Sequence, residues 1–195
     1  MTRIPTQKRA LEKKDKIIEK GFELMCENGY YNTNTSDIAK YAGVSVGIIY
    51  QYFNDKKEIF LEGVKNYSRS IMYPMVSVLK DIKLDDMENI IDKMIDEFIK
   101  SHTISKKAHE ELEAMSHLDE DVANIFKEEE IDITNEILDI LNTNNIKLDN
   151  AFIKIHIIIG IVENLCHEIV YHKHKNIDYN IMKKEVVNII LGIIN

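Results

Sequence analysis

The fold is decided by the stretch TSDIAKYAGVSVGIIYQYF, which runs from Thr35 to Phe53. Its pattern predicts two short helices joined by a tight turn. The apolar residues that share one face of the first helix are Ile38, Ala39 and Ala42. Gly43 suits the turn because glycine adopts a positive φ without steric cost. The second helix buries Ile49 and Phe53, which lie four residues apart on one side. Such a helix pair is typical of a helix-turn-helix motif, whose second helix enters the DNA major groove.

The outer face of the second helix carries the residues best suited to reading bases. Ser45 precedes this helix and is predicted to cap it by accepting a backbone N–H. Gln51 can offer a donor and an acceptor together to adenine, and Val46 can contact a thymine methyl group. Gly47 lets the backbone approach the DNA closely.

A second group of residues is predicted to bind the DNA backbone. Tyr50 and Tyr52 carry hydroxyls that can reach phosphates, although Tyr52 as a core residue stays open. Lys56 lies at a helix start, where its charge and the nearby N–H groups favour a phosphate. The hydroxyl residues at the start of the preceding helix, which can also donate to the backbone, are Thr33, Thr35 and Ser36. Thr33 is also predicted as the N-cap of that helix.

These residues, with their neighbours, resemble the N-terminal domain of TetR-family transcriptional regulators. The resemblance covers roughly residues 13 to 65, about a third of the chain. It is carried by Gly29-Tyr30, Thr33, Ile38-Ala39, Ala42-Gly43-Val44-Ser45, Gly47, Tyr50, Tyr52-Phe53, Lys56, Glu58 and Phe60. It implies that Thr35, Ser36, Val46, Gly47, Tyr50, Gln51, Tyr52 and Lys56 lie at the DNA. It also implies a dimer that binds a palindromic operator and a C-terminal domain that binds a small ligand.

Two positions depart from the family pattern. Residue 46 is often basic or polar in the family and is Val46 here, while residue 48 is usually small and polar and is Ile48 here. Both changes remove polar groups from the groove face. We therefore expect binding to depend on phosphate contacts, including those of a basic N-terminal arm with Arg3, Lys8 and Arg9, and to depend steeply on salt.

Composition predicts long helices and an uneven charge distribution. The chain of 195 residues is 45% hydrophobic and 30% charged, with two Pro and seven Gly. Residues 1–66 carry eleven Lys/Arg and nine Asp/Glu, a net +2 within a chain of net −8. Positive charge near the motif is what phosphate binding requires. Cys26 and Cys166 lie in apolar helical patterns and are interpreted as small buried residues, with a regulatory redox pair as the alternative.

The remaining sequence has only helical patterning, which predicts an all-α fold. Residues 1–66 are assigned to a helix-turn-helix DNA-binding domain, with residues 1–8 as a flexible arm. Residues 67–195 are assigned to a helical effector-binding and dimerisation domain. A fourth helix, which begins near Lys56 and which Pro74 kinks or ends, connects the two domains.

The last two helices are predicted to form a homodimer. Residues 149–172 and 179–194 are too apolar for a small helical domain to cover alone. Packing against a symmetry mate as a four-helix bundle would cover them, and Gly160 would allow close approach. A purely internal core is the alternative.

The sequence gives little information on the identity of the effector. Candidate lining residues, each of which could equally be ordinary core, are Ile91, Met94, Ile95, Phe98, Met115, Phe126 and Phe152. They favour a hydrophobic ligand, and an acidic pocket for a cationic ligand is an alternative. A DNA-binding architectural or partner-gated factor without a ligand is the rival function. A cavity of about 300 Å³ or more in the second domain would separate the two.

Other classes of function have little support. The histidines lack a strong metal-ligand spacing, so no metal or cofactor is expected. They are His102, His109 and His117, and a late cluster of His167, His172 and His174. No phosphate loop, nucleophile elbow or catalytic Cys–His pattern occurs, so an enzyme is not expected. There is no signal peptide, and the most apolar segment is too short and polar to span a bilayer, so a cytoplasmic protein is expected.

Overall fold

The computed structural model describes residues 8–81, 86–104 and 106–194. In these ranges the chain forms nine α-helices and no strand, which confirms the all-α prediction. The helices are α1 (Lys8–Asn28), α2 (Thr35–Ala42), α3 (Val46–Tyr52), α4 (Lys56–Val78), α5 (Met87–Ile104), α6 (Lys106–Leu118), α7 (Glu120–Thr143), α8 (Ala151–Val170) and α9 (Tyr179–Ile194). None of the helices, as far as they are described, combines the length and apolar character needed to cross a membrane.

The chain divides into two compact units. The first comprises the residues up to Tyr67 together with Lys107–Phe126. The second comprises Ser68–Lys106 and the residues from Lys127 onward. The first unit therefore contains most of α6 in addition to the segment predicted as the DNA-binding domain.

A glycine follows each of the first two helices, and Gly43 lies in the turn where it was predicted. Gly29, with φ of 88°, follows the end of α1, and Gly43, with φ of 69°, follows α2. The N–H of Gly43 donates to Lys40 O at 3.3 Å, and the N–H of Val44 donates to Ala39 O at 2.9 Å. Both backbone conformations are left-handed, which only glycine adopts without strain.

The core of the first unit requires two helical glycines. A Cβ at Gly63 of α4 would lie 2.5 Å from side-chain atoms of Phe22 in α1. A Cβ at Gly21 of α1 would lie 2.7 Å from Ile59 Cγ2. The absence of these methyl groups lets α1 and α4 pack closely.

In the second unit, α5, α8 and α9 pack on one another. Its fully buried side chains include Phe98, Ile95 and Leu165. Pro74 was predicted to kink or end α4; it lies inside this helix, which continues to Val78, so the second alternative is wrong. A proline at this place removes one N–H from the helical hydrogen-bond pattern, and its ring crowds a carbonyl of the preceding turn.

Both cysteines are buried and free. Burial raises the pKa of each thiol to about 12, so both stay protonated at neutral pH. A protonated thiol is a poor nucleophile. This agrees with their interpretation as small core residues.

Candidate nucleic-acid interface

Helix α2 begins with a capping box. The side-chain oxygen of Asn34 accepts from the N–H groups of Ser36 at 2.9 Å and Asp37 at 3.1 Å, and Asp37 accepts from the Asn34 N–H at 3.1 Å. The N-cap is therefore Asn34, and the prediction of Thr33 at this position is wrong. The register differs by one residue because an Asn with an Asp three positions later satisfies two N–H groups reciprocally.

Helix α3 begins where the sequence predicted, but without its side-chain cap. Ser45 is the N-cap residue, and its hydroxyl makes no capping hydrogen bond. Its carbonyl oxygen accepts from the Ile48 N–H at 2.9 Å. The hydroxyl of Ser45, an exposed residue, is thus not committed to the cap.

The predicted base-reading residues share the outer surface of α3. Gly47, Tyr50 and Gln51 are exposed, with Tyr50 at 54%, while Val46 and Ile48 are half-buried. Ile49 and Phe53 are buried on the opposite side at 0% and 2% exposure. The exposed set offers one amide, one phenol and an uncovered stretch of backbone, which are the groups that base and phosphate contacts use.

The remaining residues predicted to contact the DNA backbone differ in accessibility. Ser36 is exposed at the start of α2, and Thr35 and Tyr52 are half-buried. Thr33 is buried at 2% exposure, and its hydroxyl donates to Gly29 O at 3.1 Å. In this structure Thr33 therefore stabilises the α1–α2 turn.

Lys56 has a structural role that the sequence did not reveal. Its Nζ donates to the carbonyl oxygens of Tyr30 at 2.7 Å and Thr33 at 2.8 Å, and it lies 4.4 Å from the centroid of the Tyr30 ring. Burial lowers the pKa of Lys56. Two of the three ammonium protons thus hold the α1–α2 turn, and the third would be left for a phosphate.

Basic side chains at the start of α1 add positive charge to the first unit. The side chain of Lys8 is 91% exposed and lies 4.0 Å from the Glu12 carboxylate. Lys8 and Arg9 belong to α1, so the predicted arm does not extend as far as residue 8. Arg3 and the rest of the predicted arm lie outside the described residues.

The first unit also contains polar contacts from α6 and α7 that sequence reasoning missed. Lys107 Nζ donates to Glu27 O at 2.7 Å, and the Tyr30 N–H donates to Glu111 Oε1 at 3.4 Å. Lys57 Nζ lies 2.9 Å from the Asp119 carboxylate, and it also pairs with Asp121. These partners are about 60 to 80 residues apart in sequence, and no local pattern indicates such pairings.

An apolar cavity of about 70 Å³ lies in the second unit. All the lining side chains are apolar. They belong to the end of α4, the 3₁₀ turn Leu79–Asp81 that follows it, the helices α5, α7, α8 and α9, and the segment between α7 and α8. The lining residues are Met75, Leu79, Met87, Ile91, Met94, Ile137, Leu141, Leu148, Ile155, Ile158, Ile159, Val162, Ile190 and Ile194.

The structure brings only two of the seven predicted effector-binding residues to this cavity. Ile91 and Met94 line it. Ile95 and Phe98 are buried elsewhere in the second unit, and Phe152 stacks against His156. Met115 and Phe126 belong to the first unit. Apolar periodicity identified buried helix faces, but it could not separate cavity lining from ordinary core.

Helices α8 and α9 carry large apolar side chains that are exposed. They are Ile153 at 57%, Ile157 at 48%, Ile181 at 61% and Ile189 at 50% exposure. A Cβ at Gly160 or Gly192 would meet nothing within 4 Å. Ile153 and Ile157 lie four residues apart and therefore share one side of α8.

Comparison with known proteins agrees with the site geometry. Residues 17–62 match the family model of the bacterial regulatory proteins of the tetR family. The chain is 46% identical over 55 residues to the HTH-type transcriptional regulator HbdR of Aromatoleum sp. (strain CIB), covering 28% of the chain and 24% of that relative. It is 37% identical over 65 residues to the fatty acid metabolism regulator protein of Bacillus subtilis (strain 168), covering 33% of the chain and 34% of that relative.

The chain matches only about a quarter to a third of the length of these curated relatives. The fold extends the likeness to the whole chain. A crystal structure of a TetR-family regulator from Mesorhizobium loti MAFF303099 has a TM-score of 0.75 at 18% identity, covering 95% of this chain and 98% of that one.

Proposed function

We infer that this chain is a transcriptional regulator of the TetR family that binds a palindromic operator as a homodimer. The observation that carries the proposal is the outer face of α3. Gly47, Tyr50 and Gln51 are exposed there while Ile49 and Phe53 anchor the helix in the core. A helix held this way presents base-reading groups without disturbing its own packing.

The DNA-binding residues we propose fall into two groups by accessibility. Gln51, Val46 and Gly47 would contact base edges, with Gln51 as the main specificity residue because its amide pairs with adenine. Contacts to phosphates would come from Ser36, Thr35, Ser45, Tyr50, Tyr52 and Lys56. Thr33 would act indirectly, since its buried hydroxyl holds the turn before α2.

The homodimer would form through residues 149–172 and 179–194. Four exposed isoleucines on α8 and α9 support this, because a monomer would leave them in water. Burying an Ile side chain contributes about 1.5–3 kcal/mol. Two-fold symmetry doubles each contribution, and the open surface at Gly160 would let the two α8 helices approach closely.

The effector would be a small hydrophobic molecule bound in the second unit. The apolar lining supports this class, because a buried charge or an unpaired polar group would cost several kcal/mol there. At about 70 Å³ the cavity is smaller than the roughly 300–1,000 Å³ of typical ligand sites. The helices would therefore have to separate to admit a drug-sized ligand.

Helix α4 would couple the effector to the DNA. Its start holds Lys56, which binds the turn before α2, and Met75 near its end lines the cavity. A ligand that moves Met75 would change the position of α4, with a coupling energy of about 1–3 kcal/mol. We propose that the effector releases the protein from the operator. Without effector the protein would act as a repressor, because a protein bound at a promoter blocks polymerase. The protein would act in the cytoplasm, where the DNA lies.

The small cavity favours a second candidate, a DNA-binding architectural or partner-gated factor without a ligand. The volume is below the 300 Å³ that a small-molecule site would be expected to reach. Both candidates share the DNA-binding proposal and differ only in what the second unit does.

Two measurements test the proposal. Hydroxyl-radical footprinting on a duplex selected by the protein should give two equivalent protected segments one helical turn or a multiple of it apart. A single asymmetric segment would contradict the dimeric operator. Displacement of that duplex by n-alkanols of increasing chain length would support a hydrophobic effector. The control is Ile158→Phe, which fills the cavity. This variant should still bind the duplex, but the alkanols should no longer displace it. Equal displacement from the filled variant would favour the ligand-free candidate.

A further inference from the structure

One face of α1 carries a line of positive charges. Arg9, Lys13, Lys16 and Lys20 follow one another at intervals of four, three and four residues. This spacing places their side chains on the same side of a helix. Arg9, Lys13 and Lys16 are exposed and form the basic stripe, whereas Lys20 is half-buried. Sequence reasoning assigned Arg9 to the N-terminal arm and gave no role to Lys13 or Lys16.

Two other lysines of α1 are already neutralised by carboxylates. Lys14 Nζ lies 3.3 Å from the Glu62 carboxylate. Lys20 Nζ lies 2.6 Å from Glu23 and 3.3 Å from Glu19. A carboxylate at such a distance offsets the charge of the ammonium toward any further anion. Lys14 and Lys20 therefore have little charge to offer a phosphate.

The basic stripe differs from these lysines because its side chains have no ion-pair or hydrogen-bond partner among the residues that the structure describes. The acidic residues one turn from Lys16 pair with other lysines, Glu12 with Lys8 at 4.0 Å and Glu19 with Lys20 at 3.3 Å. Like charges three or four residues apart on a helix repel one another and destabilise it. A polyanion bound along the stripe would remove this repulsion.

The last member of the basic stripe lies beside the turn of the helix-turn-helix motif. A Cβ at Gly43, in the turn between α2 and α3, would lie 3.8 Å from Lys16 Nζ. Gly43 is exposed, and so are Ser45 and Gly47, which lead into and begin α3. The Ser45 hydroxyl makes no capping hydrogen bond. The ammonium of Lys16 is thus next to the surface that would face the phosphates bordering the major groove.

We propose that the basic stripe binds DNA phosphates beside the major groove that α3 enters, with Lys16 on the phosphate nearest the turn between α2 and α3. The stripe spans about 10 Å of α1, and each DNA strand carries one phosphate per roughly 3.4 Å of its axis, so Arg9 and Lys13 can reach further phosphates. This inference rests on the proposed DNA-binding function. Since phosphates carry no sequence information, the stripe would strengthen binding to every duplex and offset the apolar groove face at Val46 and Ile48.

The test measures the DNA affinity of the full chain at several salt concentrations, on a duplex selected by the protein and on a scrambled duplex. K13Q/K16Q removes two cations from each chain and four from a dimer. Each phosphate contact contributes about −0.9 to the slope of log K against log salt, so the slope should become shallower by about 3.6. The affinity should fall by the same factor for both duplexes. Both lysines are exposed, so the variant should fold.

The matched control is K14Q/K20Q, which removes two lysines of the same helix that carboxylates hold. Its slope should change by less than about 1, and circular dichroism would check that it is folded. K13R/K16R keeps both charges and should keep the wild-type slope. A wild-type slope in K13Q/K16Q, or an equal change in the control, would overturn the proposal while DNA binding itself stands. A wild-type chain that binds neither duplex would instead contradict the proposed function, and the role of the stripe with it.

Discussion

The ammonium of Lys56 lies 2.8 Å from the carbonyl oxygen of Thr33, and the hydroxyl of Thr33 lies 3.1 Å from the carbonyl oxygen of Gly29. The first residue of α4 and the residue before the α2 cap are thereby tied to the turn that ends α1. The predicted phosphate ligand at the start of α4 thus also holds the α1–α2 turn in place. Its removal should affect folding as well as DNA binding.

We expect Lys56→Met to lower the free energy of unfolding by about 1–3 kcal/mol, because two carbonyl oxygens lose a charged donor. Urea denaturation would measure the loss. Lys40→Met, at an exposed lysine of α2, is the matched control and should change stability by less than about 0.5 kcal/mol. Equal stability of the two variants would mean that the Lys56 hydrogen bonds do not stabilise the turn.

Two glycines of the first unit should respond in opposite ways to alanine. Gly63→Ala places a Cβ 2.5 Å from Phe22 and should destabilise the fold by about 1–3 kcal/mol. Gly47→Ala meets its nearest atom only at 4.0 Å and should stabilise α3 by about 0.5–1 kcal/mol. DNA binding should weaken in Gly47→Ala despite this gain, because the methyl group keeps the backbone from the groove. Unchanged DNA affinity in Gly47→Ala would show that α3 does not approach DNA at this residue.

The exposed isoleucines of α8 and α9 lead us to expect a dimer. Ile157→Asp should convert a dimer into a monomer, since loss of two symmetry-related isoleucines costs about 3–6 kcal/mol of association energy. Sedimentation equilibrium would measure the masses. Ile131→Asp, at a similarly exposed residue of α7, should leave the dimer intact. A wild-type monomer, or a dimer unaffected by Ile157→Asp, would point to another role for this face.

We expect the DNA affinity to depend steeply on salt concentration, because Val46 and Ile48 bring apolar side chains to the groove face. With few polar groups on the groove face, affinity must come from phosphates, and each neutralised phosphate adds about −0.9 to the slope of log K against log salt. If the dimer makes 6–10 such contacts, affinity should fall by about 10³–10⁵ between roughly 50 and 200 mM salt. Fluorescence anisotropy with a labelled duplex would measure the slope. A slope near zero would refute the dependence on phosphates.

The sequence predicted the helical fold and the exposed face of α3 because both follow from local pattern. Gly43 terminates α2 as expected, since a left-handed turn leaves few alternatives to glycine. Contacts between distant residues were not predictable. Nothing near Lys56 in the sequence indicates that its ammonium is bound to Tyr30 and Thr33, and nothing near Lys57 indicates Asp119.

The effector residues illustrate the same limit. Met115 and Ile91 have equivalent apolar periodicity, yet Met115 is buried in the first unit and Ile91 lines the cavity. Periodicity reports which face of a helix is buried. It does not report which neighbour covers that face, and a cavity is defined only by several helices together.

Selection of bound sequences from a random duplex pool with the purified chain tests DNA recognition by a dimer directly. A dimer that reads DNA through α3 should enrich an inverted repeat with two equivalent half-sites. Gln51→Ala should lose about 1–3 kcal/mol of discrimination at one base pair of each half-site. Enrichment of a sequence without two-fold symmetry, or of no sequence at all, would contradict a dimeric operator reader that uses α3.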